Sequence, residues 1–469
     1  MPEPRTAQQH IVVTNWRDLK HPQAGGAELV CQEFAALTAA AGHRVTLLTA
    51  KVKGRPRCES TDGYTIRRAG GRFTVYLHAL LWLLLHRRSV HAVLDSQNGI
   101  PFFTPLAVRR RTPVILLLHH IHQQQFGQYF PAPVAAVGRF LESTGCRHVY
   151  GRRSIVAVSP STRQGARREL RLRGEIRITP PGWRITTETA AGLEKTLAPS
   201  IVCVGRLVPH KRTRIVIEAM PDVLAEHPEA ELHIVGVGPE RERLAQIAVA
   251  KQVSHAVTFH DQATDAQRDA LVAQAWIAVS CSSGEGWGIS VIEANALGTP
   301  VLAFDRPGLR DSIKDGETGW LIPEGDAIGL ALADRLKLLG DGSGTMREVT
   351  RRWAGNFTWE RMTAKLLAVI HLERQRLQLI HPERRHLSDV ATVVRIPVDD
   401  LPEGWTPDRL RQGDAVTWLD GQLTLLLIGV DIPGSRPVLR RIGLPDLATG
   451  DLHSIRVARG SDHLLPFER

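Results

Sequence analysis

The feature that most constrains the fold is a series of short, almost continuously apolar segments that occurs twice along the chain, with helical patterns between its members. The segments of the first series are 10–15, 43–50, 92–96, 113–120 and 154–159, and those of the second are 200–207, 230–238, 256–261, 276–283 and 299–305. Strands that are apolar along their whole length are typical of parallel sheets covered on both faces. Strand–helix alternation at this spacing predicts a doubly wound α/β domain. The sequence therefore predicts an α/β protein with two facing Rossmann-like domains, and the cleft between the two sheets is the expected active site.

The domain boundaries follow from changes in composition. Residues 180–199 are rich in Pro, Thr and Ala and weakly patterned, so we place the first domain at 1–185 and the second at 186–380, closing with a helical segment. Residues 388–469 carry twelve acidic side chains and nine arginines, whereas the whole chain has a formal net charge of +11. Short runs with turn residues between them predict strands, and so a small all-β extension, at 390–398, 414–419, 422–430, 436–444 and 452–459. We expect it to dock on the body or on a second subunit, the alternative being that it closes over the cleft and helps to choose the acceptor.

Composition excludes several classes of protein. No run approaches the roughly 18 uncharged apolar residues of a membrane span, and the N-terminus has no apolar signal core. The five cysteines are far apart, which predicts neither a disulfide framework nor a zinc site and favours a cytoplasmic protein. The basic charge is compatible with a polyanionic partner or with a coding bias towards arginine. Nucleic-acid binding is not predicted, because no aromatic platform or recognised DNA-binding motif accompanies the charge.

One apolar segment leaves two interpretations open. Residues 73–88 have helix length, are apolar on most faces and end in basic residues. The segment could lie peripherally on the inner face of an anionic membrane, or it could be a crossover helix buried against the sheet. The sequence favours burial.

The strongest chemical constellation is the segment 282–301, in which Glu285 and Glu293 are eight positions apart. Glu285 ends a glycine-flanked loop after a strand, and the next four residues (Gly286, Trp287, Gly288 and Ile289) begin a helix. Amide groups in the first turn of a helix lack intrahelical partners and suit a phosphate. Glu293 can accept hydrogen bonds from sugar hydroxyls, so the pair predicts a sugar–diphosphate site. The alternative is that both glutamates are ordinary surface or helix-end charges.

Basic residues after the first strand of the second domain support the phosphate interpretation. Arg206 and Lys211 lie on one strand-to-helix loop, where two cations could neutralise a diphosphate. Gly236 and Gly238 follow the next strand, but the third glycine of G-x-G-x-x-G is missing, so dinucleotide binding is poorly supported. No Asp-x-Asp motif occurs in the chain. The sequence therefore predicts that the cations replace a metal ion, with no metal or cofactor required.

In order and spacing, the motifs at 204–211, 233–239 and 285–301 resemble the retaining GT-B glycosyltransferases of family 4. Residues 21–49 resemble the first glycine-rich loop, helix and strand of that family, and 315–323 and 356–362 resemble its C-terminal features. The resemblance covers about residues 8–380 and leaves out the extension. It implies transfer of a hexosyl group from a nucleoside-diphosphate sugar to a hydroxyl acceptor with retention of configuration, and UDP-sugars are slightly favoured over GDP-mannose. An epimerase or hydrolase of the same fold and a non-catalytic sugar-nucleotide-binding module are the alternatives.

The resemblance also implies roles for individual residues. Glu293 matches the ribose-binding glutamate, Glu285 the one that contacts the donor hexose, and Arg206 with Lys211 the pair that contacts the diphosphate. Gly25 and Gly26 match glycines that let the backbone approach the donor. The segment 116–126 matches the one that supplies a histidine near the transferred sugar; His119 is the best match by position, and His120 and His122 are close rivals.

The acceptor side is less specific. Asp95, Gln97 and Asn98 end a strand of the first domain and could bind an acceptor or could form a capped turn, and His120 and His122 could also lie on this side. The arginines at 109–111 favour a phosphorylated, membrane-bound or lipid-linked acceptor, and a small natural-product glycoside is the other expectation.

Overall fold

The computed structural model describes residues 8–184, 193–340 and 344–378, together with 390–402, 404–407, 410, 414–419, 421–428, 430, 432–444 and 452–456. It forms two compact units, Met1–Leu377 and Gln378–Arg469, each of which is described by itself. The predicted domain boundary at 185/186 and the predicted start of the extension at 388 lie outside the described residues.

The N-terminal lobe is built on an eight-stranded sheet in the order β3-β4-β2-β1-β5-β6-β7-β8. All neighbouring strands are parallel except β3, which pairs antiparallel with β4. The strands are β1 (His10–Thr14), β2 (Arg44–Thr49), β3 (Cys58–Thr61), β4 (Tyr64–Arg68), β5 (Ala92–Gln97), β6 (Val114–Leu118), β7 (Ser154–Ala157) and β8 (Ile176–Ile178). The helices are α1 (Gly26–Ala40), α2 (Val75–His86), α3 (Phe126–Tyr129), α4 (Ala132–Phe140), α5 (Cys146–Tyr150) and α6 (Pro160–Arg168).

The C-terminal lobe holds a six-stranded parallel sheet in the order β11-β10-β9-β12-β13-β14. Its strands are β9 (Ser200–Val204), β10 (Glu231–Val235), β11 (Val257–His260), β12 (Ile277–Ser280), β13 (Val301–Phe304) and β14 (Gly319–Ile322). Its helices are α7 (Arg214–Glu226), α8 (Arg241–Ala250), α9 (Asp265–Gln274), α10 (Ile289–Ala296), α11 (Leu309–Ser312), α12 (Ile328–Gly340) and α13 (Gly344–Ala354), and α14 (Trp359–Gln378) follows. The prediction of two Rossmann-like domains is confirmed.

Helix α14 returns the chain to the N-terminal lobe. Leu366 and Ile370 pack in one core with Ile11 of β1, and Glu373 accepts a hydrogen bond from Ser154 at 2.9 Å. The segment predicted as one closing helix is therefore two helices, of which the second belongs to the core of the opposite lobe.

Helix α2 buries one face and exposes the other. Val75, Ala79 and Leu83 are buried in the N-terminal core, as the burial interpretation expected. The opposite face is exposed, because Leu77 and Leu85 are 69% and 73% accessible. Further exposed apolar side chains at or beside this helix are Phe73, Leu81, Leu84 and Leu106. The segment is therefore a crossover helix packed against the sheet by one face, and its other face is exposed. Within the described residues, no helix combines the length and apolarity needed to cross a bilayer.

The second unit contains a four-stranded antiparallel sheet in the order β16-β17-β15-β18. Its elements are β15 (Val390–Pro397), β16 (Ala415–Leu419), β17 (Gln422–Ile428), α15 (Ile432–Arg441) and β18 (Leu452–Arg456). The predicted β-rich fold is confirmed, but the segment 436–444, interpreted as a strand, is largely helical. Val438, Leu439 and Ile442 lie on one face of that segment and pack against the sheet core, a spacing that fits a helix better than a strand.

Candidate active site

The predicted site residues lie at the two places where strand order reverses. In the N-terminal sheet β1 is flanked by β2 and β5, and in the C-terminal sheet β9 is flanked by β10 and β12. Loops that leave the carboxyl ends of such strands diverge and open a crevice. The loops after β1 and β6 meet the loops after β9 and β12 at this point, so both sheets contribute to one site.

Two glycines of the loop after β1 bring the lobes into contact. A Cβ on Gly25 would lie 3.6 Å from Nη2 of Arg206, and one on Gly26 would lie 3.0 Å from Cδ1 of Ile289. Arg206 also donates a hydrogen bond to the carbonyl oxygen of Gln23 at 3.1 Å. The structure thus brings the predicted phosphate arginine and the predicted glycine loop together, although they are about 180 residues apart in sequence.

Lys211 and Glu285 form an ion pair across the loops after β9 and β12, with Nζ 2.5 Å from Oε1. Burial would raise the pKa of the Glu285 carboxyl, but the charge and hydrogen bond of Lys211 outweigh it and hold that pKa below its usual value. Both side chains are about one-fifth exposed. The carboxylate is therefore ionised and oriented, and the ammonium is fixed beside it.

The start of α10 is shaped by glycines that allow close contacts. A Cβ on Gly286 would lie 1.9 Å from the carbonyl oxygen of His119, so no larger residue fits there. Gly288 has φ +91°, a left-handed conformation that favours glycine. Trp287, by contrast, points into the core, where its ring packs edge-on against Phe357 with centroids 4.9 Å apart. Of the predicted donor residues 286–289, Trp287 can offer a ligand its backbone only.

Glu293 is the fifth residue of the eight-residue helix α10. Burial raises the pKa of its carboxyl to about 7, against the opposing charge of Arg268 and with the help of Asp269 and Asp265. A hydrogen bond from the backbone of Arg184 also acts against the rise in this pKa. Such a carboxyl gains strongly from new hydrogen-bond donors, and a pair of neighbouring hydroxyls would supply them.

Gly236 has a structural role in addition to its predicted one. Its φ is +144°, and a Cβ there would lie 2.0 Å from the carbonyl oxygen of Gly205. A Cβ on Gly238 would lie 2.2 Å from the carbonyl oxygen of Leu207. These two glycines let the loops after β9 and β10 lie directly against each other, which holds the Arg206 loop at the crevice.

The three clustered histidines point in different directions. Nε2 of His119 lies 2.8 Å from Oγ of Ser96, which donates to Asn15, so this ring is inside the N-terminal lobe and only its carbonyl oxygen approaches the other lobe. His120 faces the Glu285 loop, because a Cβ on Gly284 would lie 3.8 Å from its Cε1. Burial lowers the pKa of each ring to about 3, so both are neutral.

His122 forms the third branch of this cluster. Its backbone amide donates to Glu142 at 2.7 Å, its Nδ1 lies 3.4 Å from the same carboxylate, and its ring meets His120 edge-on with centroids 5.2 Å apart. Of the three rings, that of His120 therefore faces the Glu285 loop, with His122 against it; which histidine faces the donor remains a prediction.

On the acceptor side the structure separates two predicted residues. Asp95 is completely buried and accepts hydrogen bonds from the amides of Phe102 and Thr104 and from the hydroxyls of Thr104, Tyr150 and Thr14. It organises the loop after β5 and is not accessible to an acceptor, which corrects that prediction. Asn98 is partly exposed and donates to Oε1 of Glu28 at 3.3 Å.

Two polar residues of the crevice, Glu28 and His210, were missed by the sequence analysis. Glu28 links Asn98, Gly25 and Arg17, with the Gly25 amide 2.8 Å from Oε2 and Arg17 Nε 3.3 Å from Oε1. His210 lies between Arg206 and Lys211, and burial with the Lys211 charge lowers its pKa to about 4. Only their positions in the sequence could have indicated them, since Glu28 lies two residues after Gly26 and His210 directly precedes Lys211.

Within the described residues, no group of three His, Cys, Asp or Glu side chains is arranged to hold a metal ion. The absence of a metal requirement remains a prediction.

Two family models match this chain, glycosyl transferases group 1 over residues 186–352 and glycosyltransferase family 4 over residues 24–185. A GDP-mannose-dependent alpha-(1-6)-phosphatidylinositol monomannoside mannosyltransferase from Mycolicibacterium smegmatis is 33% identical over 192 residues, which are 38% of this chain and 50% of the relative. A D-inositol 3-phosphate glycosyltransferase from Nocardia farcinica is 31% identical over 216 residues, 42% of this chain and 47% of the relative. The chain thus spans about half the length of the curated relatives it matches. Among solved structures, a sucrose-phosphate synthase from Thermosynechococcus elongatus aligns with a TM-score of 0.64 at 22% identity, covering 80% of this chain and all of the other.

Proposed function

The chain belongs to the family 4 glycosyltransferases with the GT-B fold, and on that premise we propose that it transfers a hexosyl group from a nucleoside-diphosphate sugar to a hydroxyl acceptor with retention of configuration. The observation that carries the proposal is the convergence of Arg206, Lys211, Glu285 and the glycines 25 and 26 from both lobes at one crevice.

The leaving group determines what the site must stabilise. When the bond between the anomeric carbon and the diphosphate oxygen breaks, negative charge grows on the phosphate and the sugar becomes oxocarbenium-like. Arg206, Lys211 and the amides at the start of α10 supply positive charge and donors for that phosphate. In this scheme the cations replace a metal ion, so transfer proceeds without one.

Retention follows if the acceptor attacks from the side that the diphosphate leaves. The acceptor oxygen forms its bond to the anomeric carbon, and its proton passes to the departing phosphate oxygen, so no enzymic base is needed. His120 is neutral because burial lowers its pKa to about 3, and its role is to hydrogen-bond the sugar. Glu285, held by Lys211, orients the hexose hydroxyls, and Glu293 binds the ribose hydroxyls.

For the donor base and the acceptor we propose only the chemical class. The slight sequence preference for UDP-sugars remains a prediction, and one relative carries GDP-mannose in its name, so both nucleotides belong in the assay. The names of the two relatives give acceptors that contain inositol and phosphate. We accordingly place a phosphorylated or lipid-linked hydroxyl acceptor beside Asn98 and propose peripheral contact between the exposed face of α2 and an anionic membrane.

The decisive experiment measures binding and transfer separately. A panel of UDP-, GDP- and dTDP-sugars is screened by thermal shift, since a ligand that binds the native state raises the melting temperature. The sugar that binds is then incubated with inositol phosphates and with phosphatidylinositol vesicles. An α-linked product from an α-configured donor, identified by NMR coupling constants, supports the proposal. A β-linked product contradicts retention, and donor consumption to free sugar with every acceptor favours a hydrolase.

A further inference from the structure

Two arginine side chains converge on one indole at the edge of the crevice. The guanidinium carbon of Arg17 lies 4.4 Å from the centroid of the Trp16 ring, and that of Arg72 lies 5.6 Å from the same ring. Arg17 is ion-paired with Glu28 at 3.3 Å. Arg72 is exposed and, within the described residues, forms no ion pair. Two like charges at one ring repel each other, and an anion between them would relieve that repulsion.

Aromatic rings around Arg72 order its guanidinium group and leave the N–H donors of that group free. The group also lies over Phe130 and Phe73, with distances to the ring centroids of 4.5 and 5.6 Å. Stacking on aromatic faces uses the π surface of a guanidinium and leaves its in-plane N–H groups available. The residue sits in the glycine-containing loop that leads into α2.

Tyr76, in the first turn of α2, adds a hydroxyl to the same place. Its ring packs on Phe102 with centroids 4.6 Å apart, and in the described part of the chain its hydroxyl has no hydrogen-bond partner. The positive charges of Arg17 and Arg72 both act on this hydroxyl, since each lowers the pKa that burial and Asp95 raise. Tyr76 follows Arg72 by four residues, and the Arg72 guanidinium lies over Phe73 and Phe130 beside the start of α2.

We propose that Arg72, Tyr76 and Arg17 form a second anion subsite, distinct from the donor diphosphate site, which binds the phosphate of the acceptor. Arg17 connects the subsite to the crevice, because its partner Glu28 also holds Asn98 and the Gly25 amide. On its other side the subsite borders Phe73 and Leu77, the exposed beginning of the α2 face. A phosphate placed here has a transferable hydroxyl group on the crevice side and room for an apolar substituent on the other. This inference rests on the proposed function for the identity of the acceptor, but not for the presence of the subsite.

The test fills the donor site first and then measures binding at the second site. Wild-type protein with saturating nucleotide sugar is titrated with inorganic phosphate, and phosphorus NMR follows the free phosphate line. Arg72→Gln removes the exposed cation, Tyr76→Phe removes only the hydroxyl, and Arg88→Gln, at the other end of α2, is the matched control. We expect phosphate affinity to fall roughly tenfold or more in Arg72→Gln and several-fold in Tyr76→Phe, the usual cost of losing a hydrogen bond to a charged group. Arg88→Gln and the donor affinity of all variants should not change.

A flotation assay with phosphatidylinositol vesicles, against phosphatidylcholine vesicles, separates the two sources of the phosphate. If the protein floats with the phosphatidylinositol vesicles, and Arg72→Gln weakens this vesicle binding more than Arg88→Gln does, the phosphate belongs to a lipid headgroup. If the protein binds phosphate but does not float with the vesicles, the acceptor is a soluble phosphorylated compound. The subsite is refuted if wild type with a filled donor site binds no phosphate, or if Arg72→Gln binds it as tightly as wild type. If wild type binds no nucleotide sugar, the proposed function fails instead, and the phosphate titration without donor still tests the subsite by comparing wild type with Arg72→Gln.

Discussion

The ionisation of Glu293 makes donor affinity depend on pH in a direction that the structure specifies. Its carboxyl has a pKa raised to about 7, mainly by burial and partly by Asp269 and Asp265, while Arg268 opposes the rise. Only the carboxylate can accept hydrogen bonds from both ribose hydroxyls. Donor binding should therefore select the deprotonated form and release a proton, so affinity rises as pH increases through 7.

The size of the effect follows from the titration. With a pKa of about 7, roughly a tenth of the carboxyl is ionised at pH 6 and roughly nine-tenths at pH 8. If binding requires the carboxylate, the association constant increases about ninefold over this range, which corresponds to ~1.3 kcal/mol. Arg268→Gln removes the charge that opposes the rise in pKa, so it should move the midpoint to higher pH.

Calorimetric titration with an intact nucleotide sugar measures this dependence. Both phosphates of such a donor are esterified and do not titrate between pH 6 and 8, unlike the terminal phosphate of a free nucleoside diphosphate. His120 and His210 remain neutral throughout, because their pKa values are lowered to about 3 and about 4. Lys195, whose pKa burial lowers to about 7, titrates in the same window, so Lys195→Met is the control that should keep the dependence.

Glu293→Gln should bind the donor more weakly at pH 8 and show no pH dependence. A flat profile for wild type, or a slope that persists in Glu293→Gln, would refute the assignment of Glu293 to the ribose.

Four further expectations can be checked directly. Lys211→Met should reduce single-turnover transfer about 100- to 1000-fold, because the leaving phosphate loses a cation and Glu285 loses the charge that keeps its pKa low; wild-type turnover would remove Lys211 from the site. EDTA should leave transfer unchanged, and a loss restored by Mg²⁺ or Mn²⁺ would contradict the metal-independent scheme. Asp95→Asn should lower the free energy of unfolding in urea by about 2–4 kcal/mol while nucleotide-sugar affinity is retained, and weakened donor binding at full stability would give it a direct role. A chain ending at residue 378 should bind the nucleotide sugar with wild-type affinity, since every proposed donor residue precedes that position; a loss would show that the extension contributes to the donor site.

The fold could be predicted from the sequence because each strand has its own local apolar pattern and that pattern is repeated along the chain. Ten apolar segments predict strands, and all ten correspond to strands of the two parallel sheets. Four strands of these sheets were missed; three have weak apolar patterns, and the fourth, β14, is apolar but only four residues long. Strands β3 and β4 form a partly exposed hairpin, and β8 has only three residues. The helical form of 436–444 was missed because Pro437 and the short apolar pairs resemble a strand boundary.

The direction of individual side chains was harder to predict because it depends on where each strand ends. The amide of His119 still bonds to the carbonyl oxygen of Gln97 at 3.4 Å, so the sheet pairing of β6 continues one residue beyond Leu118. Successive residues of an extended chain point to opposite sides. His119 therefore turns towards Ser96 inside its own lobe, and His120 turns towards the Glu285 loop. A shift of one residue in the end of β6 would exchange the two, and the apolar pattern does not fix that end.

The same reasoning explains why Asp95 and Asn98, three residues apart, have different roles. Asp95 pairs in register with Thr14 and Leu116 inside the sheet, where helices cover both faces, so its carboxylate can reach only the loop that folds back over the strand. Asn98 follows the last residue of β5 and is free of that cover, and its amide reaches Glu28 on the neighbouring loop. In a doubly wound sheet a ligand is contacted from beyond the carboxyl end of a strand, not from within it. Polar residues that precede the strand end are therefore expected to support the site from inside, and those that follow it are expected to face the substrate. By this criterion we predict that Asn98, His120 and Arg206 contact substrate, whereas Asp95 and Ser96 hold the loops that position them.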